Sequence, residues 1–230
     1  MNIEGKSTKH YCLNWMYKDM NKMLNFSPQE LSKKEKKKFL IGSVLPRPIA
    51  LVSTISDASI VNVAPFSYFN IVTYNPPMLS IAVQRNQGES KDTARNIFEQ
   101  KEAVVHVVSI DNVDATNKTS APLPAGESEL DISNFTTVDS KTIQVPGIKE
   151  SKVRYETELY DSIVIYDDED IPTADMLLLK VKHYHIDESI YDQGYINLSK
   201  LNAVSRLAGN DYAELGRVFK IERPNSEEKE

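Results

Sequence analysis

Val44-Leu45-Pro46-Arg47-Pro48-Ile49-Ala50-Leu51-Val52-Ser53-Thr54 is the stretch on which the fold turns. Ile49 to Ser53 is a short apolar run with β-branched residues, and it reads as a buried strand. Asp57 and its polar neighbours mark a turn, after which Ile60 to Val63 returns as a second strand. Asn75-Pro76-Pro77 breaks the chain, and Met78 to Val83 resumes as a strand. Ala103 to Ser109 is an uninterrupted apolar stretch around His106, the plainest strand signal in the chain. Ser162 to Tyr166 and the longer Met176 to His185 are further strands.

Helical signals are fewer. Ser27-Pro28-Gln29-Glu30 has the form of a capping box with proline at the first helical position, which predicts a helix to about Leu40, ending near Gly42. Lys91 to Ile97 reads as a helix start capped by Asp92 or Ser90, and a short helix is expected near Asn112 to Thr119. Seven or more strands with few helices between them disfavour a doubly wound parallel sheet. They favour a closed or nearly closed antiparallel barrel, in which closure removes exposed edges. No Pro/Gly/Ser-rich linker divides the chain, so one domain is expected over residues 25–220, with an extension at 1–24 and a polar tail at 221–230.

Composition narrows the function classes. The 230 residues carry a formal net charge of -6, and nucleic-acid binding usually needs a basic footprint. The basic run Lys33 to Lys38 reads as a solvated helix face. A single cysteine, Cys12, rules out an intrachain disulfide and argues against a metal site built on cysteines. The first thirty residues hold no signal-peptide core and no run is long and apolar enough to span a membrane, so a cytoplasmic location is expected. Neither a Gly-x-Gly-x-x-Gly loop, a Walker A loop nor a Gly-x-Ser-x-Gly elbow occurs. His183 and His185 share one face of their strand and read as surface or dimer-facing residues rather than metal ligands. His106 reads as a satisfied core or pocket-lining histidine, and Asp167-Asp168-Glu169-Asp170 as a solvated turn.

Four stretches taken in order carry a resemblance: Val44 to Thr54, Asn62-Val63-Ala64-Pro65-Phe66-Ser67-Tyr68-Phe69-Asn70, Asn75-Pro76-Pro77, and Ser90-Lys91-Asp92-Thr93-Ala94-Arg95-Asn96-Ile97. Over roughly residues 25 to 220 the chain resembles the flavin reductase-like, FMN-binding split-barrel family, and within it the flavoredoxin branch. Ser205 to Ala213 resembles the family as well, with Ala208 where a glycine is common; His106 stands where an asparagine would be expected.

The resemblance implies a mainly β fold, a six-stranded Greek-key split barrel with flanking helices, and a homodimer with FMN near the interface. It implies an oxidoreductase that passes hydride from NADH or NADPH to FMN, or alternatively an FMN-binding electron carrier without NAD(P)H oxidase activity. A flavin-dependent monooxygenase or another electron acceptor would be the partner. No catalytic acid, base or nucleophile is expected, because the chemistry belongs to the cofactor.

FMN needs donors for its phosphate, a flat wall for its ring and polar groups along the ring edge. Ser53, Thr54, Ser67 and Ser90 offer short hydroxyls, Lys91 a point charge and Arg47 a fork of donors. Thr93 and the helix that follows add backbone donors. Ala64, Pro65, Phe66 and Phe69 can form the wall, with Asn62, Asn70 and Gln84 along the edge. By the resemblance, Asn62 to Asn70 is the loop along the flavin, Ser90 to Thr93 reaches the phosphate or ribityl chain, and Arg206 and Tyr212 border the ring from the far side or from a partner subunit. Each residue has a plain alternative: Pro65 shapes a turn, Phe66 and Phe69 are core aromatics, Lys91 and Asp92 begin a helix, Ser53 ends a strand, and Arg206 and Tyr212 pack a C-terminal segment.

Overall fold

The apolar runs of the sequence become the strands of one antiparallel sheet. A computed structural model describes residues 23–124 and 126–224; most of the expected N-terminal extension, Cys12 included, and most of the polar tail lie outside the described residues. Seven strands form the main sheet: β1 (Ala50–Ile55), β2 (Val61–Phe66), β3 (Phe69–Tyr74), β4 (Pro77–Gln84), β5 (Glu102–Val107), β6 (Val153–Tyr166) and β7 (Pro172–Ile186). Their order across the sheet is β2-β1-β5-β6-β7-β4-β3. Strands β2 and β3 are consecutive in the chain, joined only by Ser67 and Tyr68, yet they occupy the two opposite edges. Three peptide steps reach at most about 11 Å. The sheet must therefore curl until its edges nearly meet, and no ladder joins β2 to β3. This is the split barrel that the resemblance implies, and of the closed or nearly closed barrel that the strand count favoured it is the nearly closed form.

The interior confirms the curl. One buried cluster takes Ala50 and Val52 from β1, Phe66 from β2, Leu79, Ile81 and Val83 from β4, Ala103 and Val105 from β5, and Leu177 and Leu179 from β7. Ala94 and Ile97 fill its centre from a helix, α2 (Asp92–Gln100). The opposite face of β1 and β2 packs Ile49, Leu51 and Val63 against Val108, Phe135 and Ile148. Strands buried on both faces explain why β1 reads as continuous apolar sequence rather than as an alternation. Pro65 sits in β2 opposite Leu51 and is tolerated because β2 is an edge strand.

Asn62 to Asn70 is not a loop: it is β2, a two-residue link and the start of β3. Strands β6 and β7 are longer than their apolar runs and form a hairpin whose tip, Asp167 to Asp170, is closed by the Asp167 carboxylate accepting from the Glu169 and Ile171 amides at 3.0 Å. Arg47–Pro48, Val204–Arg206 and Tyr212–Glu214 make a small separate sheet. Among the described residues no helix is long and apolar enough to cross a membrane.

Contacts divide the chain into Met1–Ser43 and Val44–Glu230. In the first unit the expected single helix is two pieces. Ser27 and Glu30 make the capping box around a 3₁₀ turn, Pro28–Glu30, but Leu31 is extended. A second reciprocal pair, Ser32 with Glu35, then starts α1 (Lys33–Ser43), whose Lys33 to Lys38 are exposed as expected.

His106, in β5, is fully buried and satisfied on both ring nitrogens. Nδ1 lies 2.8 Å from the Leu51 carbonyl, and the Ile148 amide donates to Nε2 at 2.8 Å. Nδ1 is therefore the donor and the ring is neutral. Burial pushes its pKa down to about 3, against a smaller upward pull from the Leu51 carbonyl. An unfolded histidine binds its proton near pH 6.5, so the unfolded state gains protons that the folded state refuses. Stability should fall as pH drops below about 6.5, by up to about 1.4 kcal/mol per pH unit. In His106→Asn, denaturant titrations between pH 6.5 and 5 should show this slope reduced relative to the parent; an unchanged slope would exclude His106 as its source.

Candidate functional site

The candidate residues fall into three groups. The first is built on α2. Asn62 donates to Thr93 Oγ1 at 2.8 Å and to Thr54 Oγ1 at 3.3 Å, and Asn96 donates to the same Thr54 oxygen at 3.0 Å. All four side chains are buried. They form a polar lock that docks α2 onto β1 and β2. Asn96 was not anticipated; its signal was its place one turn after Thr93 on the same helix face. At the other end of α2, Gln100 bonds the carboxylate of Asp57 in the β1–β2 turn. The helix thus points its C-terminus at that turn. Its N-terminus lies at the opposite end of the helix, where Thr93 meets Asn62 of β2 and Ser90 meets Asp175 of β7.

That N-terminus is open. The N-cap position is Lys91, not Asp92 or Ser90, and no side chain caps the helix. The first-turn amides have no intrahelical partner and carry the positive end of the helix dipole. Lys91 is exposed, and its ammonium meets no carboxylate among the described residues. Ser90 is differently engaged: its hydroxyl donates to Asp175 at 2.9 Å. Asp175, fully buried in β7, also receives Arg85 in a fork at 2.6 and 3.0 Å, and Arg85 donates to the Gly88 carbonyl at 2.9 Å. This pair fixes the loop that delivers Ser90 and Lys91. It was missed because Asp175 interrupts the apolar run just before the predicted strand start at Met176.

The second group runs along β2 and into β3 and β4. Phe66 is a core aromatic, and Ala64 and Phe69 pack beside it. Pro65 and Ser67 are half-buried, and Asn70 and Gln84 are exposed. The Tyr68 carbonyl accepts from the Ala82 amide at 2.8 Å, which holds the Ser67–Tyr68 link two residues from Gln84. Asn70 spends its side-chain oxygen on the Ile71 amide at 2.8 Å. Ser53 points to the other face of β1 and donates to the Pro146 carbonyl at 2.6 Å.

The third group is the small sheet. Arg47 is buried and donates to the Val44 and Leu207 carbonyls at 2.7 and 2.8 Å. Arg206 lies 4.4 Å over the Tyr212 ring, whose hydroxyl donates to Asn117 at 3.0 Å. These contacts organise the C-terminal segment. Among the described residues no cluster of three or more His, Cys, Asp or Glu side chains could hold a metal.

The model of the flavin reductase-like domain matches residues 41–201. The chain belongs to the flavin reductase-like family. Nitrilotriacetate monooxygenase component B of Bacillus cereus superposes with a TM-score of 0.86 at 43% identity, over 87% of this chain and 100% of that one. The 2-nitrobenzoate 2-nitroreductase NbaA of Pseudomonas fluorescens superposes at 0.78 and 26% identity, over 88% and 98%. YwrF of Bacillus subtilis, an uncharacterized protein, is 47% identical over 88% of this chain and 100% of its own length.

Removing Asp175 would strand the Arg85 guanidinium and the Ser90 hydroxyl together. Asp175→Ala should cost about 3 kcal/mol of stability, the low end for breaking a largely buried pair on one side. Urea denaturation measures it, and a loss under about 1 kcal/mol would mean the pair behaves like a surface salt bridge.

Proposed function

We propose that this chain is an FMN-binding oxidoreductase that takes hydride from NADH or NADPH, the flavin reductase of its family. The observation that carries the reading is the uncapped N-terminus of α2 with Lys91 beside it, held in place by the Thr54–Asn62–Thr93–Asn96 lock and the Arg85–Asp175–Ser90 clamp. A phosphate fits there because open amides, a helix dipole and an ammonium all favour negative charge.

The chain's residues divide the work. Lys91 and the first-turn amides of α2, that of Thr93 included, hold the phosphate. Pro65 and Ala64, half-buried along β2, supply an apolar wall, and Ser67, Asn70 and Gln84 supply hydrogen-bonding groups at its rim. Thr54, Asn62, Thr93 and Ser90 side chains are spent on the scaffold, and Phe66 on the core. Their contribution is to hold the contacting groups still. When bound, FMN supplies the hydride acceptor. No protein acid or base is needed for that transfer.

A homodimer is part of the proposal. Edge strand β3 exposes Ile71 at 71% and Tyr74 at 91%, and the β6–β7 hairpin exposes Tyr160, Ile163, Ile165 and Tyr166. Apolar surface on a sheet edge and a projecting arm suits burial against a second copy. The partner of the reduced flavin would be a flavin-dependent monooxygenase; the likeness to a monooxygenase component supports that class of acceptor.

Purified protein should be yellow or become so with FMN, and anaerobic NADH or NADPH should bleach it. A yellow protein that stays oxidised would favour an electron carrier, and a colourless one that FMN does not reconstitute would refute the proposal. In Lys91→Ala, flavin titration should show retention weakened by about tenfold, the effect of one charge-assisted contact, with the melting temperature nearly unchanged. Equal loss of both would remove Lys91 from the phosphate.

A further inference from the structure

We infer that a second anion site, specific for a phosphate group on a small molecule, lies at the end of the sheet where β6 begins and β7 ends. A cavity of about 300 Å³ opens there, lined by Lys149, Ser151, Lys152, Arg154, Tyr184, His185, Ile186 and Asp187. Its volume is at the lower end of ligand pockets, enough for a phosphate group and part of what carries it. All but Ile186 offer polar groups, and three are permanent cations against one carboxylate.

What matters is which of these charges are already satisfied. Lys152 is: it pairs with Asp111 at 2.5 Å and donates to the Lys200 carbonyl at 2.7 Å. His185 is held by Glu156 at 2.6 Å. The Glu156 carboxylate is in turn filled by the amides of Lys141 and Thr142 at 2.6 and 2.7 Å and by the Thr142 hydroxyl at 2.5 Å. Burial works to raise the pKa of Glu156, but these donors outweigh it and hold the group well below the usual carboxylate range. Asp187 accepts from the Ser189 amide at 2.8 Å.

Arg154 and Lys149 are left over. Arg154 is half-buried, and among the described residues its one hydrogen bond is a long 3.4 Å contact to the Ile148 carbonyl. Burial pulls its pKa down, and the charges of Glu156 and Asp187 only partly restore it. Neither carboxylate bonds to it, so a five-donor fork stands partly desolvated with one long bond to a carbonyl and no anionic acceptor. Lys149 is exposed, and its ammonium makes no ion pair or hydrogen bond among the described residues. Tyr184 brings a hydroxyl that makes no bond there, and Ser151, which accepts from Asn112 at 3.1 Å, keeps its proton to donate.

The site is also shaped. Arg154 faces His185 across the β6–β7 ladder, and its stem runs over Gly147, where an added Cβ would lie 3.1 Å from Arg154 Cδ and 3.4 Å from Nε. Glycine at 147 therefore leaves room for the position that the arginine takes. A fork of N–H groups, an ammonium and two hydroxyls around a small cavity match the oxygens of a phosphate dianion. A free phosphate and the 2′-phosphate of NADPH present that same chemistry.

Isothermal titration with inorganic phosphate at fixed ionic strength tests the site on the full chain, on Lys149→Gln, on Arg154→Gln and on Lys91→Ala. One saturable event should weaken at least about tenfold in Lys149→Gln and in Arg154→Gln, and persist in Lys91→Ala. Lys149 is exposed, so its variant keeps the test meaningful if Arg154→Gln folds poorly. Absence of saturable binding, equal affinity in parent and Lys149→Gln, or binding lost only in Lys91→Ala would overturn the inference. Repeating the titration with NADPH and NADH separates the sources. A preference for NADPH that vanishes in Lys149→Gln assigns the site to the nucleotide, and equal binding of the two beside a Lys149-dependent phosphate event assigns it to a free small phosphate.

Discussion

The docking of α2 inside the curled sheet is the constraint on which the rest depends. A buried hydroxyl or amide without a partner costs on the order of 1–3 kcal/mol, so Thr54, Asn62, Thr93 and Asn96 are tolerable in the interior only together. Because Asn62 reaches both threonines and Asn96 reaches back to Thr54, helix and sheet are held in one register. Ala94 and Ile97 can then fill the centre of the barrel. The same register decides where the open end of the helix points. Fold and proposed phosphate site are thus two consequences of one set of hydrogen bonds.

Buried charge is handled by a similar logic. Asp175 is fully buried and spends its oxygens on Arg85 and Ser90, which ties β7 to the loop ahead of α2. Glu156 is fully buried and answers Lys141, Thr142 and His185, which ties β6 to the segment that crosses it. Buried carboxylates need this density of donors to remain ionised. Against that pattern, an arginine at the barrel end with a single long bond stands out, and so does the open first turn of α2. These are the places where the chain has donors to spare.

Much of the fold was legible because its strands are marked by apolar runs and hard breaks. The apolar runs Ala103 to Ser109 and Ile49 to Ser53 contain most of β5 and β1, strands buried on both faces, and such sequence has few other readings. What was not legible was non-local. Strand β3, Phe69 to Tyr74, alternates poorly because Ile71, Val72 and Tyr74 are exposed apolar residues on an edge, so no strand was expected there and its first two residues were read as the end of a flavin-side loop. The break at Leu31 was hidden because a capping box at Ser27 promises a helix but says nothing of its length, and the second box at Ser32 competes. For the site, Asn62, Thr93 and Ser90 were picked out as polar residues in telling places. That Asn62 meets Thr93, Asn96 meets Thr54 and Ser90 meets Asp175 depends on pairings 31, 42 and 85 residues apart, which local pattern does not carry.

The account therefore rests on one spatial statement, that the open turn of α2 and the Ser67 end of β2 border a single ligand. Amide chemical-shift mapping of the isotope-labelled protein during FMN titration reads that statement residue by residue. The account predicts the largest shifts at Lys91 to Ala94 together with Ala64, Phe66 and Ser67, saturating with a common affinity. Shifts confined to the barrel end around Lys149 and Arg154, or to only one of the two expected stretches, would contradict it.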